Sequence, residues 1–255
     1  MSAFAGGLDA ARRVLGERFG HSRFRVHQLR VLGPLLAGRN VLAVLPTGAG
    51  KSLCYQVPAL LANGLIVVVS PLISLMQDQV AGLRRRGIAA AYLNSQLDAG
   101  QRRTILDATL AGRVTLLYCA PERLPSLTRQ LRAAATPIAL LAIDEAHCIT
   151  EWGNEFRPVY RRLGVLRAQL GHPLTIALTG SATPAARADI LTTTSAWGMR
   201  KSSSPRSTGP ISHLSPSACG TIASGFGGCG RCCASPRARR EPRWFTRTRG
   251  ASPSS

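Results

Sequence analysis

In this 255-residue chain, two short stretches hold side chains whose types and spacing suit chemistry on a phosphate. The first is Pro46-Thr47-Gly48-Ala49-Gly50-Lys51-Ser52, which follows an apolar run at 41–45 and precedes a helical stretch that starts at Leu53. Glycines let backbone N–H groups wrap phosphate oxygens, and a helix N-terminus behind them adds a favourable dipole. Lys51 is placed to meet the β- and γ-phosphates of a nucleotide, and the Ser52 hydroxyl to ligate Mg²⁺. A strict loop of this kind has glycine where Leu45 stands, so the loop is a variant. The bland alternative is a turn with an incidental lysine. Residue usage argues against it: the chain has 30 Arg but only Lys51 and Lys201 as lysines. Where arginine is the default cation, a lysine marks a site that wants a compact ammonium rather than a planar fork.

The second stretch is Asp144-Glu145-Ala146-His147, delivered by the apolar run 138–143. Adjacent carboxylates at the end of a buried strand are costly without partners. In a phosphate site they divide the work: Asp144 holds Mg²⁺ and Glu145 polarises the water that attacks the γ-phosphate. A surface acidic pair is the competing reading of the tetrad alone, and the phosphate loop upstream weighs against it.

Both stretches need a scaffold that sets them side by side. Apolar runs at 41–45, 65–69, 89–93, 114–118, 138–143 and 174–178 predict buried strands, and amphipathic stretches fill the gaps. Over 72–86, Leu72, Leu75, Met76, Val80 and Leu83 fall at helical spacing, and Arg84 to Arg86 sit where the macrodipole favours cations. Strict alternation of strand and helix predicts an α/β domain with a mostly parallel sheet covered by helices on both faces. Such sheets bind ligands at the carboxyl ends of their strands, where both stretches fall.

Further motifs, in order, narrow the reading. They are Phe19-Gly20-His21-Ser22-Arg23-Phe24-Arg25-Val26-His27-Gln28, Leu53-Cys54-Tyr55-Gln56, Ser70-Pro71-Leu72-Ile73-Ser74-Leu75-Met76, Ala120-Pro121-Glu122-Arg123-Leu124, and the segment from Asp144 through Tyr160. With the phosphate loop and the DEAH tetrad, the region from about Gly16 to Leu191 resembles the first motor domain of RecQ-family helicases of superfamily 2. The resemblance implies a RecA-like P-loop NTPase domain and a 3′-to-5′ ATP-dependent DNA helicase of repair and recombination. ATP and Mg²⁺ are then the cofactors, with Arg25, Gln28, Thr47, Gly48, Ala49, Gly50, Lys51 and Ser52 at the nucleotide and Ser52 and Asp144 at the metal. Glu145, Asp144, Lys51 and His147 are the catalytic set.

By the same resemblance Gln28 reads the adenine edge, which a side-chain amide suits because it both donates and accepts, while Arg25 and His21 bracket the ring. Val26 stands where the family has proline. Trp152, Phe156 and Arg157 correspond to an aromatic-rich loop that senses single-stranded DNA; aromatic faces stack on bases at roughly 1–3 kcal/mol each, although Trp152 and Phe156, spaced i and i+4, equally suit a core. Asn154 replaces the family's histidine there. Ser181 and Thr183 match the Ser-Ala-Thr coupling motif that bonds His147, and their hydroxyls also suit a helix N-cap. Implied partners are single-stranded and forked DNA and a single-strand-binding protein, with no membrane.

Bulk properties bound the rest. The formal charge of +20 divides into 22 basic and 11 acidic residues over 1–191, and ten basic and one acidic over 192–255. Such an excess favours polyanions, nucleic acid foremost. Cys54, Cys119 and Cys148 read as reduced core residues, and no apolar run nears the ~18 residues of a membrane span, so a cytoplasmic, nucleoid-associated protein is expected. After Leu191 the helix-strand pattern stops: Ser, Gly and Pro supply 27 of the last 64 residues, a composition that cannot offset its ordering entropy. The expectation is a domain at 1–191 and a disordered basic tail at 192–255, in which Cys229 and Cys232 are read as part of a shifted reading frame rather than as zinc ligands. A second RecA-like domain is not recognisable, and an arginine finger is worth ~10³–10⁵ in rate. The competing function is therefore a nucleotide-dependent DNA-binding module without motor activity.

Overall fold

Runs of valine, leucine and isoleucine bounded by turn residues form the strands expected of them. The computed structural model describes residues 4–149, 162–180, 190 and 200–202, all within one compact unit, Met1–Gly209. The strands are β1 (Val41–Val44), β2 (Leu65–Val69), β3 (Ala90–Leu93), β4 (Leu116–Cys119), β5 (Ile138–Ile143), β6 (Thr175–Thr179) and β7 (Arg200–Ser202). Before them run α1 (Gly7–Phe19) and α2 (Val26–Leu36), and between them α3 (Leu53–Ala59), α4 (Ile73–Arg85), α5 (Ala99–Leu110), α6 (Leu124–Ala133) and α7 (Leu163–Gln169), with 3₁₀ turns at Pro121–Arg123 and Ala146–Ile149.

The seven strands form one sheet in the order β3-β4-β2-β5-β6-β1-β7, every pairing parallel. Six of the seven match the apolar runs to within a residue or two. The β4 segment begins at Leu116 rather than Val114, because the N–H groups of Thr115 and Leu116 both donate to the Ala89 carbonyl at the start of the β3–β4 ladder. The seventh lies past the boundary expected at Leu191: Arg200 pairs with Val41 and Ser202 with Ala43. Backbone ladder bonds need no side-chain alternation, so a three-residue polar edge strand leaves no periodic signal.

Alternation along the strands sends side chains to two buried faces. Val68, Tyr118, Ala142 and Ile176 meet Val31, Tyr55, Met76 and Val80 from α2, α3 and α4 on one face. Val67, Leu117, Leu141 and Ala177 meet Leu127 and Leu131 of α6 and Leu163 and Leu166 of α7 on the other. The doubly covered parallel sheet expected from the sequence is therefore present. Cys54, Cys119 and Cys148 are buried and in no disulfide, as expected. Among the described residues no helix is long and apolar enough to cross a membrane.

At the carboxyl edge the ladder continues one residue past the strands. Asp144 donates its N–H to the Val69 carbonyl at 2.8 Å and Leu45 donates to Thr179 at 2.9 Å, so the residues after β5, β6 and β1 stand in a row. That row depends on a rigid β5. Leu141, 1 % exposed, is registered between Val67 and Thr175, and Leu141→Ala is expected to lower the unfolding free energy by about 2–5 kcal/mol in urea melts. Val165→Ala, at a side chain 56 % exposed, should stay within about 0.5 kcal/mol; equal losses would mean that β5 is not the centre of the core.

Candidate active site

The loop between β1 and α3 is held from beneath by α2. Gln28, in the first turn of α2 and 3 % exposed, accepts the Arg25 N–H on Oε1 at 2.9 Å and donates from Nε2 to the carbonyls of Gly50 and Ala49 at 3.1 and 3.3 Å. His27 places Nε2 2.8 Å from the same Ala49 carbonyl, and Arg25 donates from Nη1 to the Gly48 carbonyl at 2.8 Å. Carbonyls drawn toward α2 leave the opposite side of the loop to its N–H groups. Gly48 and Gly50 have φ of 76° and 75°, a region that costs a side-chain-bearing residue energy. At Gly50 a Cβ would also lie 2.5 Å from Gln28 Nε2. Conformation therefore favours glycine at both positions, and at Gly50 a Cβ would also push the Gln28 amide from its place.

Lys51 reaches across to the acidic tetrad. Its Nζ lies 3.2 Å from Glu145 Oε1, with the two side chains 14 % and 21 % exposed. The other carboxylate oxygen, Oε2, is 3.3 Å from His147 Nδ1, and the same ring nitrogen is 3.0 Å from Thr179 Oγ1. Glu145 has a φ of 49°, an unusual backbone state for this residue type that clusters at functional sites, and its N–H donates to Asp144 Oδ1 at 3.1 Å. Gly180 matters for space: a Cβ there would come within 2.6 Å of Lys51 Nζ. The strand end after β6 must be bare for the ammonium to lie against it.

Asp144 is 5 % exposed. Burial pushes its carboxyl up to about 6, with the Glu145 charge adding to the rise, while Lys51 and the Glu145 N–H pull it back. A buried carboxylate whose charge is incompletely offset, which shares the surroundings of Tyr55 with the Ser52 hydroxyl, suits a hard divalent cation.

The structure thus gathers Arg25, Gln28, Gly48, Ala49, Gly50, Lys51, Asp144, Glu145 and His147 at one sheet edge, with Thr47 beside Gly180 and Ser52 opening α3. His21 lines a cavity of about 250 Å³ with Leu53 and Gln56 of α3, just after the loop, while Arg25 donates to the loop itself. Trp152, Phe156, Arg157, Ser181, Thr183 and Asn154 lie outside the described residues, as do the tail cysteines. Sequence reasoning gave no role of their own to His27, although it lies within the motif from Phe19 to Gln28, or to Thr179, two residues before Ser181 in the stretch whose hydroxyls were expected to bond His147.

The raised Asp144 carboxyl has a consequence for stability. Folded, it holds its proton to about 6, against an ordinary value of 3.8, so the folded state binds more protons across that interval and loses stability as pH rises through it. Asp144→Asn should therefore raise the unfolding free energy near pH 8 by about 1–3 kcal/mol, measured in urea with chelator present, and the gain should vanish near pH 4. The same gain at both pH values would remove the buried charge as its cause.

Sequence and fold comparisons agree with this edge. Residues 25–190 match the family model for DEAD/DEAH box helicases. The chain is 44 % identical over 185 residues to the probable ATP-dependent DNA helicase RecS of Bacillus subtilis, covering 72 % of this chain and 37 % of that protein. It is 47 % identical over 165 residues to the ATP-dependent DNA helicase RecQ of Synechocystis, covering 64 % and 34 %. The chain spans about a third of the length of these relatives. The crystal structure of the DUF1998 helicase MrfA bound to DNA and AMPPNP superposes with a TM-score of 0.61 at 19 % identity, over 77 % of this chain and 29 % of that one, which speaks for the fold alone. The matched region contains every described residue gathered at the phosphate loop and the acidic strand end, and the chain belongs to the DEAD/DEAH box helicases, with its sequence relatives among those of RecQ type.

Proposed function

We propose that this chain is the nucleotide-binding motor domain of a RecQ-type ATP-dependent DNA helicase that moves 3′ to 5′ and serves repair and recombination. The observation that carries the reading is the 3.2 Å approach of Lys51 Nζ to Glu145 Oε1, because it joins the cation of a phosphate loop to the base of a hydrolytic strand end. Support for DNA as the polymer comes from relatives named DNA helicases and from the basic excess of the chain. Single-stranded and forked DNA are the substrates this reading assigns, and a single-strand-binding protein is the partner.

With ATP bound, Lys51 leaves Glu145 for the β- and γ-phosphate oxygens, which carry more negative charge than one carboxylate. That exchange frees Glu145 Oε1 to accept a hydrogen bond from the attacking water. Water adds to the γ-phosphorus, the bond to the β-phosphate bridging oxygen breaks, and the water's proton passes toward Glu145. His147, held by Thr179, keeps the other oxygen of Glu145 in place. Ser52 and Asp144 would hold Mg²⁺, which when bound offsets phosphate charge. Gln28 keeps the loop in shape through Ala49 and Gly50, and it reads adenine by sharing the amide that now serves those carbonyls.

Lys51→Ala should lower Mg-ATP affinity by at least about tenfold, the scale of one charge-assisted contact to phosphate, in equilibrium binding with a fluorescent ATP analogue. Equal affinity in variant and parent would sink the phosphate-loop assignment. The parent chain should also prefer ATP to GTP, since guanine inverts the donor and acceptor order that adenine offers, and Gln28→Ala should weaken both nucleotides and erase the preference. Indistinguishable ATP and GTP binding by the parent removes Gln28 as a base reader. Binding of ATP and single-stranded DNA without DNA-stimulated hydrolysis would leave a nucleotide-dependent DNA-binding module in place of a motor.

A further inference from the structure

Beneath the phosphate loop lies a buried polar bridge that the chemistry above does not use. Gln56 sits one helical turn after Ser52, and its N–H donates to the Ser52 carbonyl at 2.9 Å. The side chain belongs to a residue 5 % exposed, and both hydrogens of its amide are engaged: Nε2 donates to Gln79 Oε1 at 2.7 Å and to the Tyr118 hydroxyl at 3.0 Å. Gln79 is on α4, and Tyr118 is on β4. Tyr118, 1 % exposed, meets Tyr55 edge-on with ring centroids 6.2 Å apart, and the charge of Asp144 raises the hydroxyl of each ring further above its already elevated value. The Tyr55 hydroxyl lies beside Ser52 and Tyr118 but completes no hydrogen bond of acceptable geometry. One polar chain thus runs from α4, through Gln56, to the two tyrosines beside Ser52 and Asp144.

An apolar residue would pack this position without the cost of burying an amide. Two features suit the bridge to a switch rather than a strut. Gln79 is only part-buried, and a cavity of about 250 Å³ opens beside the bridge, lined by Leu53, Gln56, Asp78 and Gln79. The Gln79 side chain therefore has room to swing away while Met76, Val80 and Leu83 keep α4 seated on the sheet. The other end of α4 is exposed to the site edge: the helix starts just after Ser70 and Pro71 at the end of β2, Leu72 is 50 % exposed, and the first turn has no acidic residue and no side-chain cap. The first-turn N–H groups of a helix have no intrahelical acceptor and favour an anion.

We propose that Gln56 is a positioning residue through which α4 sets how firmly the phosphate loop holds a triphosphate, and that single-stranded DNA bearing on α4 acts on the loop by making or releasing the Gln56–Gln79 bond. The second half rests on the DNA reading given above. A neutral hydrogen bond of this kind changes an equilibrium by a few-fold to about tenfold, and coupling between two ligands is reciprocal.

The test measures the affinity of the full 255-residue chain for Mg-AMPPNP by calorimetry, with and without a saturating oligothymidylate. In the parent the two dissociation constants should differ by about three- to tenfold. Gln79→Leu, which keeps bulk but offers no acceptor, should bring their ratio to within about twofold of unity with DNA affinity and melting temperature little changed. Gln79→Glu, which restores an acceptor oxygen, should keep the parental ratio, a rescue that a packing role would not give. A parental ratio in Gln79→Leu overturns the relay, as does a parent that binds both ligands independently. A parent that fails to bind Mg-AMPPNP overturns the nucleotide reading itself and the relay with it.

Discussion

Two adjacent carboxylates at the end of a buried strand impose the constraint around which the site is arranged. β5 is central in the sheet and covered on both faces, so Asp144 and Glu145 emerge into surroundings that offer little water. Without a cation nearby, two such charges would protonate or destabilise the fold. Lys51 answers Glu145, and it can do so only because β1 lies two strands away in the order β5-β6-β1, with Gly180 leaving bare the strand end it crosses. Asp144 is answered less completely, and its carboxyl stays raised. The fold thus tolerates a destabilising carboxylate where a cation-bound phosphate would make it favourable, as functional sites commonly do.

The loop is constrained by the same arrangement. Lysine at the end of a glycine-rich turn has many conformations open to it, and the Gln28 amide removes most of them by binding the Ala49 and Gly50 carbonyls. Holding carbonyls on one side organises the N–H groups on the other without any direct contact to them. A residue expected to read a base is engaged by the loop backbone, so under the proposed function base recognition and phosphate affinity would be tied to one side chain.

How far the sequence discloses this follows from the range of each interaction. The strands were legible because burial on both faces demands unbroken apolar runs, and the loop because Gly48, Gly50 and Lys51 are adjacent in sequence. The pairing of Lys51 with Glu145, 94 residues apart, was legible only through the function each stretch suggested separately. His27 and Thr179 left no such trace: an imidazole bonded to a backbone carbonyl, or a threonine at the end of a strand, looks like any other until the chain has folded. β7 was invisible for a different reason, since a run of Arg, Lys and Ser carries no apolar pattern. The bridge from Gln56 to Gln79 spans 23 residues between two helices, and neither glutamine breaks the helical periodicity that explains its neighbours.

The strained backbone at Glu145 connects these levels. A φ of 49° at a glutamate costs of order 1–3 kcal/mol, and the structure offsets it with three restraints: the Asp144 carboxylate on the Glu145 N–H, Lys51 on Oε1 and His147 on Oε2. Under the proposed function, only the Lys51 restraint is drawn off by phosphate. When it goes, the carboxylate keeps its backbone anchor and its histidine, so it changes partner without changing place. His147 in turn leans on Thr179, the last residue of β6, whose carbonyl also receives the Leu45 N–H at the start of the loop. Glu145, the histidine that steadies it and the loop that carries Lys51 therefore share one strand end, and under the proposed function the lysine is the part that leaves.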